Sequence, residues 1–98
     1  MIGYTAIEHA DKLAAWTLRL RSAVQARSRA EAARDADAVR RAEEDVNFWV
    51  GRLTGEVLAS QDAPGFDAAR KDAVLAILEA RKVRLFGSDE LLVALVTR

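Results

Sequence analysis

Large apolar residues recur at intervals of three and four in two separate stretches of the chain, which is the spacing of one helix face. The first stretch holds Leu13, Trp16, Leu20, Ala23 and Val24, and the second holds Val39, Ala42, Val46, Trp49, Val50, Leu53 and Val57. The second stripe does not continue the phase of the first, so one straight helix would have to bury two different faces. The pattern therefore predicts two helices joined by a turn near residues 33–37.

The two stripes also predict how these helices face each other. In an antiparallel pair, opposed positions add to a constant, and Leu13 with Leu53 and Trp16 with Trp49 satisfy this about a centre near residue 33. We therefore expect an antiparallel hairpin in which the two indoles share one buried environment.

Capping signals indicate where these helices begin. Thr5 and Glu8 form a capping box, which predicts that the first helix starts there. Asp35 or Asp37 can serve as the N-cap of the second helix. A second capping-box pattern begins at Ser28 and would place the break earlier, so both positions for the turn stay open.

Residues 60–65 contain the only proline and the strongest break in the pattern, and a third helix is expected from about residue 66. Its apolar stripe is wide and comprises Val74, Ile77, Leu78, Leu85 and Phe86. A wide stripe predicts a helix lying in the groove of the hairpin. Gly87 and Ser88 then separate it from a short fourth helix. The expectation is an all-α fold, one small helical bundle over residues 1–98, with helices at about 5–32, 36–60, 66–86 and 89–97.

The composition agrees with helices and gives little support to several functional classes. Twenty of the 98 residues are alanine, which has the highest helix propensity. Fifteen basic and fifteen acidic residues balance, so net charge does not favour a nucleic acid or an anionic membrane as partner. There is no cysteine, and neither a signal-peptide pattern nor a membrane span is recognisable, so a cytoplasmic protein without a membrane partner is expected.

The residue types that carry catalysis do not converge on one site. His9 is the only histidine, and we interpret it with its charged neighbours as a solvated helix start. The acidic residues Glu43, Glu44 and Asp45 are consecutive, and consecutive helical residues point about 100° apart, so they do not form a catalytic pair. No glycine-rich phosphate loop is present. We therefore expect a protein that is not an enzyme and that holds no cofactor and no metal.

Four arginines suggest an alternative function. Arg19, Arg21, Arg27 and Arg29 occur without an intervening acidic residue, and such a run can contact phosphates. A small nucleic-acid-associated helical protein is therefore a second hypothesis. It is the weaker one, because Arg19 and Arg21 lie on different sides of a helix and Glu31 follows closely.

The tripeptide Trp49-Val50-Gly51 resembles the Trp-x-Gly signature of the small helical-hairpin substrates of type VII secretion. Chain length and helical content are also similar to that family, and the resemblance implies a secreted helical hairpin as a third hypothesis. In that family the tripeptide forms the hairpin turn, whereas here it lies inside the second apolar stripe, which continues to Val57.

Apolar residues outside the stripes indicate the expected interface. Leu18 and Phe48 each project away from the stripe of their own helix, and residues 91–96 are apolar on every side. A helix that short exposes part of its surface however it docks, so we expect Leu92, Val93, Leu95 and Val96 to lie at an interface. The leading hypothesis is a non-enzymatic protein–protein interaction module, such as an adaptor, inhibitor or assembly protein, including those encoded by phages or mobile elements. Its partner is another protein or a second copy, with a homodimer expected.

Overall fold

A computed structural model of the chain describes residues 2–63 and 65–81, with side chains from residue 8 onward. This part of the chain consists of three helices and contains no strand: α1 spans Ile2–Ala32, α2 spans Ala36–Ala59 and α3 spans Asp67–Ala80. The all-helical class is thereby confirmed. The predicted last turn of the third helix at residues 82–86 and the predicted fourth helix at 89–97 lie outside the described residues.

A two-helix hairpin is closed by a short turn between α1 and α2. The backbone N–H of Arg34 donates to the Glu31 carbonyl and that of Asp35 donates to the Ala30 carbonyl, each at 3.1 Å, which is the Schellman pattern of helix ends. Arg34 adopts a left-handed φ of 56°. The Asp35 carboxylate then accepts from the Ala38 N–H at 3.1 Å and caps α2. The turn thus lies within the predicted range, and α1 continues without a break past Ser28.

The hydrophobic core lies where α3 packs into the hairpin groove and contacts both arms. Its most deeply buried apolar side chains are Leu13, Leu20, Leu53, Val57 and Val74. On α3, Val74, Ile77 and Leu78 are all buried, as the wide stripe predicts for a helix between two neighbours. The core therefore combines one narrow stripe from each arm with a broad face of α3.

The start of α1 differs from the sequence prediction. The helix begins at Ile2 rather than at Thr5, so Thr5 is not an N-cap. The Glu8 carboxylate pairs instead with Lys12 one turn later, at 2.9 Å. The Lys12 hydrogen bond lowers the pKa of Glu8 below its ordinary value. A lowered carboxyl pKa stabilises the fold above that ordinary value, and this contribution is lost as the pH falls through the lowered pKa.

A buried arginine holds the connection between α2 and α3. Arg70 is only 2% exposed. One of its terminal nitrogens donates to the carbonyls of Ser60 and Ala63 at 2.6 and 3.1 Å, and the other donates to the Asp67 carboxylate at 2.5 Å. The Ser60 carbonyl also accepts from the Ala63 N–H at 2.9 Å. Through its bonds to this loop, Arg70 positions α3 against the hairpin.

The left-handed conformation at the hairpin turn leads to the first prediction. Arg34→Gly removes the steric cost of a Cβ at positive φ, so the free energy of unfolding should rise by about 0.5–1 kcal/mol. Arg41→Gly is the matched control in an exposed helix interior and should lower it by about 1 kcal/mol. Urea unfolding measures both. A loss of stability in both variants would contradict the left-handed turn.

The core leads to the second prediction, for which two leucines of α1 form a matched pair. Leu20 is fully buried and Leu18 is 67% exposed. Leu20→Ala should lower the free energy of unfolding by about 2–5 kcal/mol because it leaves a cavity. Leu18→Ala should change it by no more than about 0.5 kcal/mol. Equal losses in chemical denaturation would show that α1 is rotated from the described orientation.

Candidate interaction face

The two tryptophans meet across the hairpin. The ring centroids of Trp16 on α1 and Trp49 on α2 lie 6.3 Å apart with the planes inclined by 48°. The predicted shared environment is therefore present, but both rings are half-buried rather than enclosed. A groove beside Trp49 is lined only by residues of α1 and α2. The rings stay accessible because no part of α3 covers this side of the hairpin.

Phe48 extends the tryptophan pair outward to the surface. Its ring packs edge-on against Trp49 at 4.9 Å and 86°, and 51% of the residue is exposed. The Arg52 guanidinium lies 5.1 Å from the Phe48 ring centre and 5.7 Å from that of Trp16. Two further cations complete the arrangement, Arg19 over Trp49 at 5.5 Å and Lys12 over Trp16 at 5.8 Å. We call Trp16, Phe48, Trp49, Lys12, Arg19 and Arg52 the aromatic face.

The arginines of the aromatic face keep their charges available. Within the described part of the chain, neither Arg19 nor Arg52 forms an ion pair; both make cation–π contacts. A guanidinium stacked on a ring can still donate hydrogen bonds from its edge. The aromatic face therefore presents rigid rings together with donors that suit the carboxylates of another molecule.

The two predicted interface residues within the described part of the chain, Leu18 and Phe48, lie on different surfaces. Phe48 is exposed on the aromatic face, whereas Leu18 lies about 200° around α1 from Trp16 and so points away from that face. Leu92, Val93, Leu95 and Val96 lie outside the described residues. Of the sequence candidates, the described structure thus places only Phe48 on the aromatic face.

The four arginines proposed for nucleic-acid binding are also separated. Arg21 pairs with Asp72 of α3 through two bonds of 2.7 and 3.3 Å. Arg27 is buried against the core, and Arg19 stacks on Trp49. Arg29 is exposed, but it lies about 80° around α1 from Arg19. Successive helical positions thus distribute these four side chains around α1, and nucleic-acid binding through them stays a prediction from the sequence.

His9 is involved in a contact that the sequence interpretation missed. Its ring nitrogen Nδ1 hydrogen-bonds to the carboxylate of Glu56 on α2, whose residue is 7% exposed. His9 itself is 18% exposed, so it is not a solvated residue at the helix start. The register that opposes Trp16 to Trp49 also opposes His9 to Glu56, and this signal was present in the sequence.

The Trp49-Val50-Gly51 tripeptide lies in the middle of α2, and the hairpin turn is formed by residues 33–35. This placement departs from the type VII secretion family, in which the tripeptide forms the turn. A comparison with protein-family models finds no match, and comparisons with curated proteins and with solved structures find none either.

Two further searches of the described residues bear on the candidate functions. Within 2–63 and 65–81, no cluster of three or more histidine, aspartate or glutamate side chains is placed to hold a metal ion. In the same ranges, none of the helices has a stretch both long and apolar enough to span a bilayer.

The His9–Glu56 pair leads to the third prediction. His9→Ala leaves a buried carboxylate without its partner, so the free energy of unfolding should fall by about 1–3 kcal/mol. Adding Glu56→Leu removes the orphaned carboxylate and should recover most of that loss. Urea unfolding of the wild type, the single variant and the double variant measures both effects. A single variant as stable as the wild type would contradict the described pairing.

Proposed function

We propose that this chain is a non-enzymatic protein–protein interaction module that associates with a second copy of itself through the aromatic face. The observation that carries the proposal is the half-exposed ring of Phe48, held edge-on to Trp49 and beside the guanidinium of Arg52. Such self-association suits the adaptors and assembly proteins expected from the sequence.

The residue types of the aromatic face support this proposal. Tryptophan, phenylalanine and arginine are enriched in protein interfaces, and tryptophan and arginine dominate their energetic hot spots. Phe48 packs against Trp49, so its ring loses little conformational freedom when a partner covers it. An exposed but preorganised ring is therefore better suited to binding than an isolated exposed leucine such as Leu18.

The charges beside Phe48 favour a second copy as the partner. Glu44, Phe48 and Arg52 follow one another at intervals of four, which places them along one side of α2. If two α2 helices meet antiparallel with Phe48 at the two-fold axis, Glu44 of each copy faces Arg52 of the other. Neither Glu44 nor Arg52 has an ion pair within the described chain. This self-complementary order is what a two-fold interface requires.

The size of the aromatic face indicates a weak dimer. A contact along one helix, with one large exposed aromatic ring per copy, belongs to interfaces below about 1,200 Å² in total. We therefore expect the homodimer to form at micromolar or higher concentration. A contribution of Leu92, Val93, Leu95 and Val96 to the same interface stays a prediction from the sequence.

Sedimentation equilibrium of the full chain tests the proposal. The wild type should show a concentration-dependent dimer, and Phe48→Ala should weaken the association by at least about tenfold, as expected for an interface anchor. Leu58→Ala is the matched control, because Leu58 is 45% exposed on the same helix but lies about 80° around it and about 15 Å along it from Phe48. Its dimer should be unchanged.

A charge exchange tests the two-fold arrangement itself. Arg52→Glu should weaken the dimer, and the double variant Glu44→Arg/Arg52→Glu should restore it, since the complementary order is kept with its signs reversed. A wild-type chain that is monomeric at high micromolar concentration would refute self-association. A dimer whose dissociation constant is unchanged by Phe48→Ala would refute the aromatic face as its interface.

A further inference from the structure

A pocket of about 350 Å³ opens at the C-terminal end of α3, away from the aromatic face. Its apolar wall consists of Val46 and Val50 from α2 and Ala80 from α3. Its polar lining consists of Arg27, Glu43, Asn47 and Arg81. The volume falls within the range of small-molecule sites. The lining is more polar than apolar, so it fits a ligand with a charged group and only a short hydrocarbon.

Arg27 is the unusual member of this lining. The residue is 7% exposed, and its Nε is buried without a hydrogen-bond acceptor. Within the described residues, its ion pair joins Nε to the Glu31 carboxylate at 3.7 Å, which is beyond hydrogen-bond distance. Burying Nε without an acceptor is costly, so an oxygen ligand beside this guanidinium would offset part of that cost.

The other polar groups narrow the class of ligand. Arg81 and the amide of Asn47 add donors around the same space, and a guanidinium matches the two oxygens of a carboxylate in a planar fork. Glu43 lies in the same lining as the two arginines and leaves one net positive charge there, which favours a monoanion over a dianion. The aliphatic wall suits a short hydrocarbon body attached to the anion.

We infer that this pocket binds a carboxylate attached to a short aliphatic group, with Arg27, Arg81 and Asn47 donating to its oxygens and Val46, Val50 and Ala80 contacting the hydrocarbon. The carboxylate belongs to a free small molecule. The pocket shares no residue with the aromatic face, so this inference is independent of the proposed dimer.

Titration of the isotope-labelled full chain with sodium butyrate, followed by amide NMR, tests the inference. Butyrate should shift the amides that line the pocket, and butylammonium, with the same hydrocarbon and the opposite charge, should not. Arg81→Met and Asn47→Ala change exposed residues and should each weaken butyrate binding by at least about threefold, because each removes a donor. Arg27→Met should abolish butyrate binding. If the Arg27→Met chain does not fold, Arg81→Met and Asn47→Ala still test the inference.

Butyrate binding by the wild type that depends on Arg81 and Asn47 supports the inference. The inference is overturned if the wild type does not bind butyrate, if butylammonium shifts the same amides, or if Arg81→Met and Asn47→Ala leave the affinity unchanged.

Discussion

The register of the α1–α2 hairpin is the constraint on which the other features depend. It is set by a turn in which Arg34 takes the left-handed conformation and Asp35 caps the next helix, so that few residues separate two long helices. Once that turn is fixed, each residue of α1 lies opposite a defined residue of α2. The buried leucines and the tryptophan pair follow from the same alignment. Inserting one residue within either arm would turn the rest of that arm's stripe by about 100° and carry it away from the core.

The position of α3 then gives the hairpin two different sides. Arg70 ties the α2–α3 connection to α3 through two backbone carbonyls and Asp67, and the broad apolar face of α3 fills one groove of the hairpin. Among the described residues, the opposite groove is lined by α1 and α2, and tryptophan, phenylalanine and arginine take the place of aliphatic residues there. The docking of α3 on one side of the hairpin therefore forms the core and leaves the aromatic face on the other side.

Three buried charged groups show how the interior compensates for desolvation to different degrees. Arg70 has acceptors for both terminal nitrogens, and Glu56 has the ring of His9. Arg27 has only a distant carboxylate and faces a pocket. Since unpaired buried charge costs far more than paired charge, stability accounts for the first two groups and leaves the third as a feature that a ligand would explain.

Periodicity and capping act between neighbours along one helix, and they were enough to predict the helical class, the hairpin and the position of Phe48 outside the apolar stripe. They did not predict the start of α1, since Glu8 pairs forward with Lys12 instead of capping Thr5. Which charges are available depends on the tertiary fold. Arg21 is engaged by Asp72, which lies 51 positions away, and Arg27 is buried by packing. A side chain's partner across the bundle depends on how three helices rotate against one another, and no pattern along a single helix contains that information.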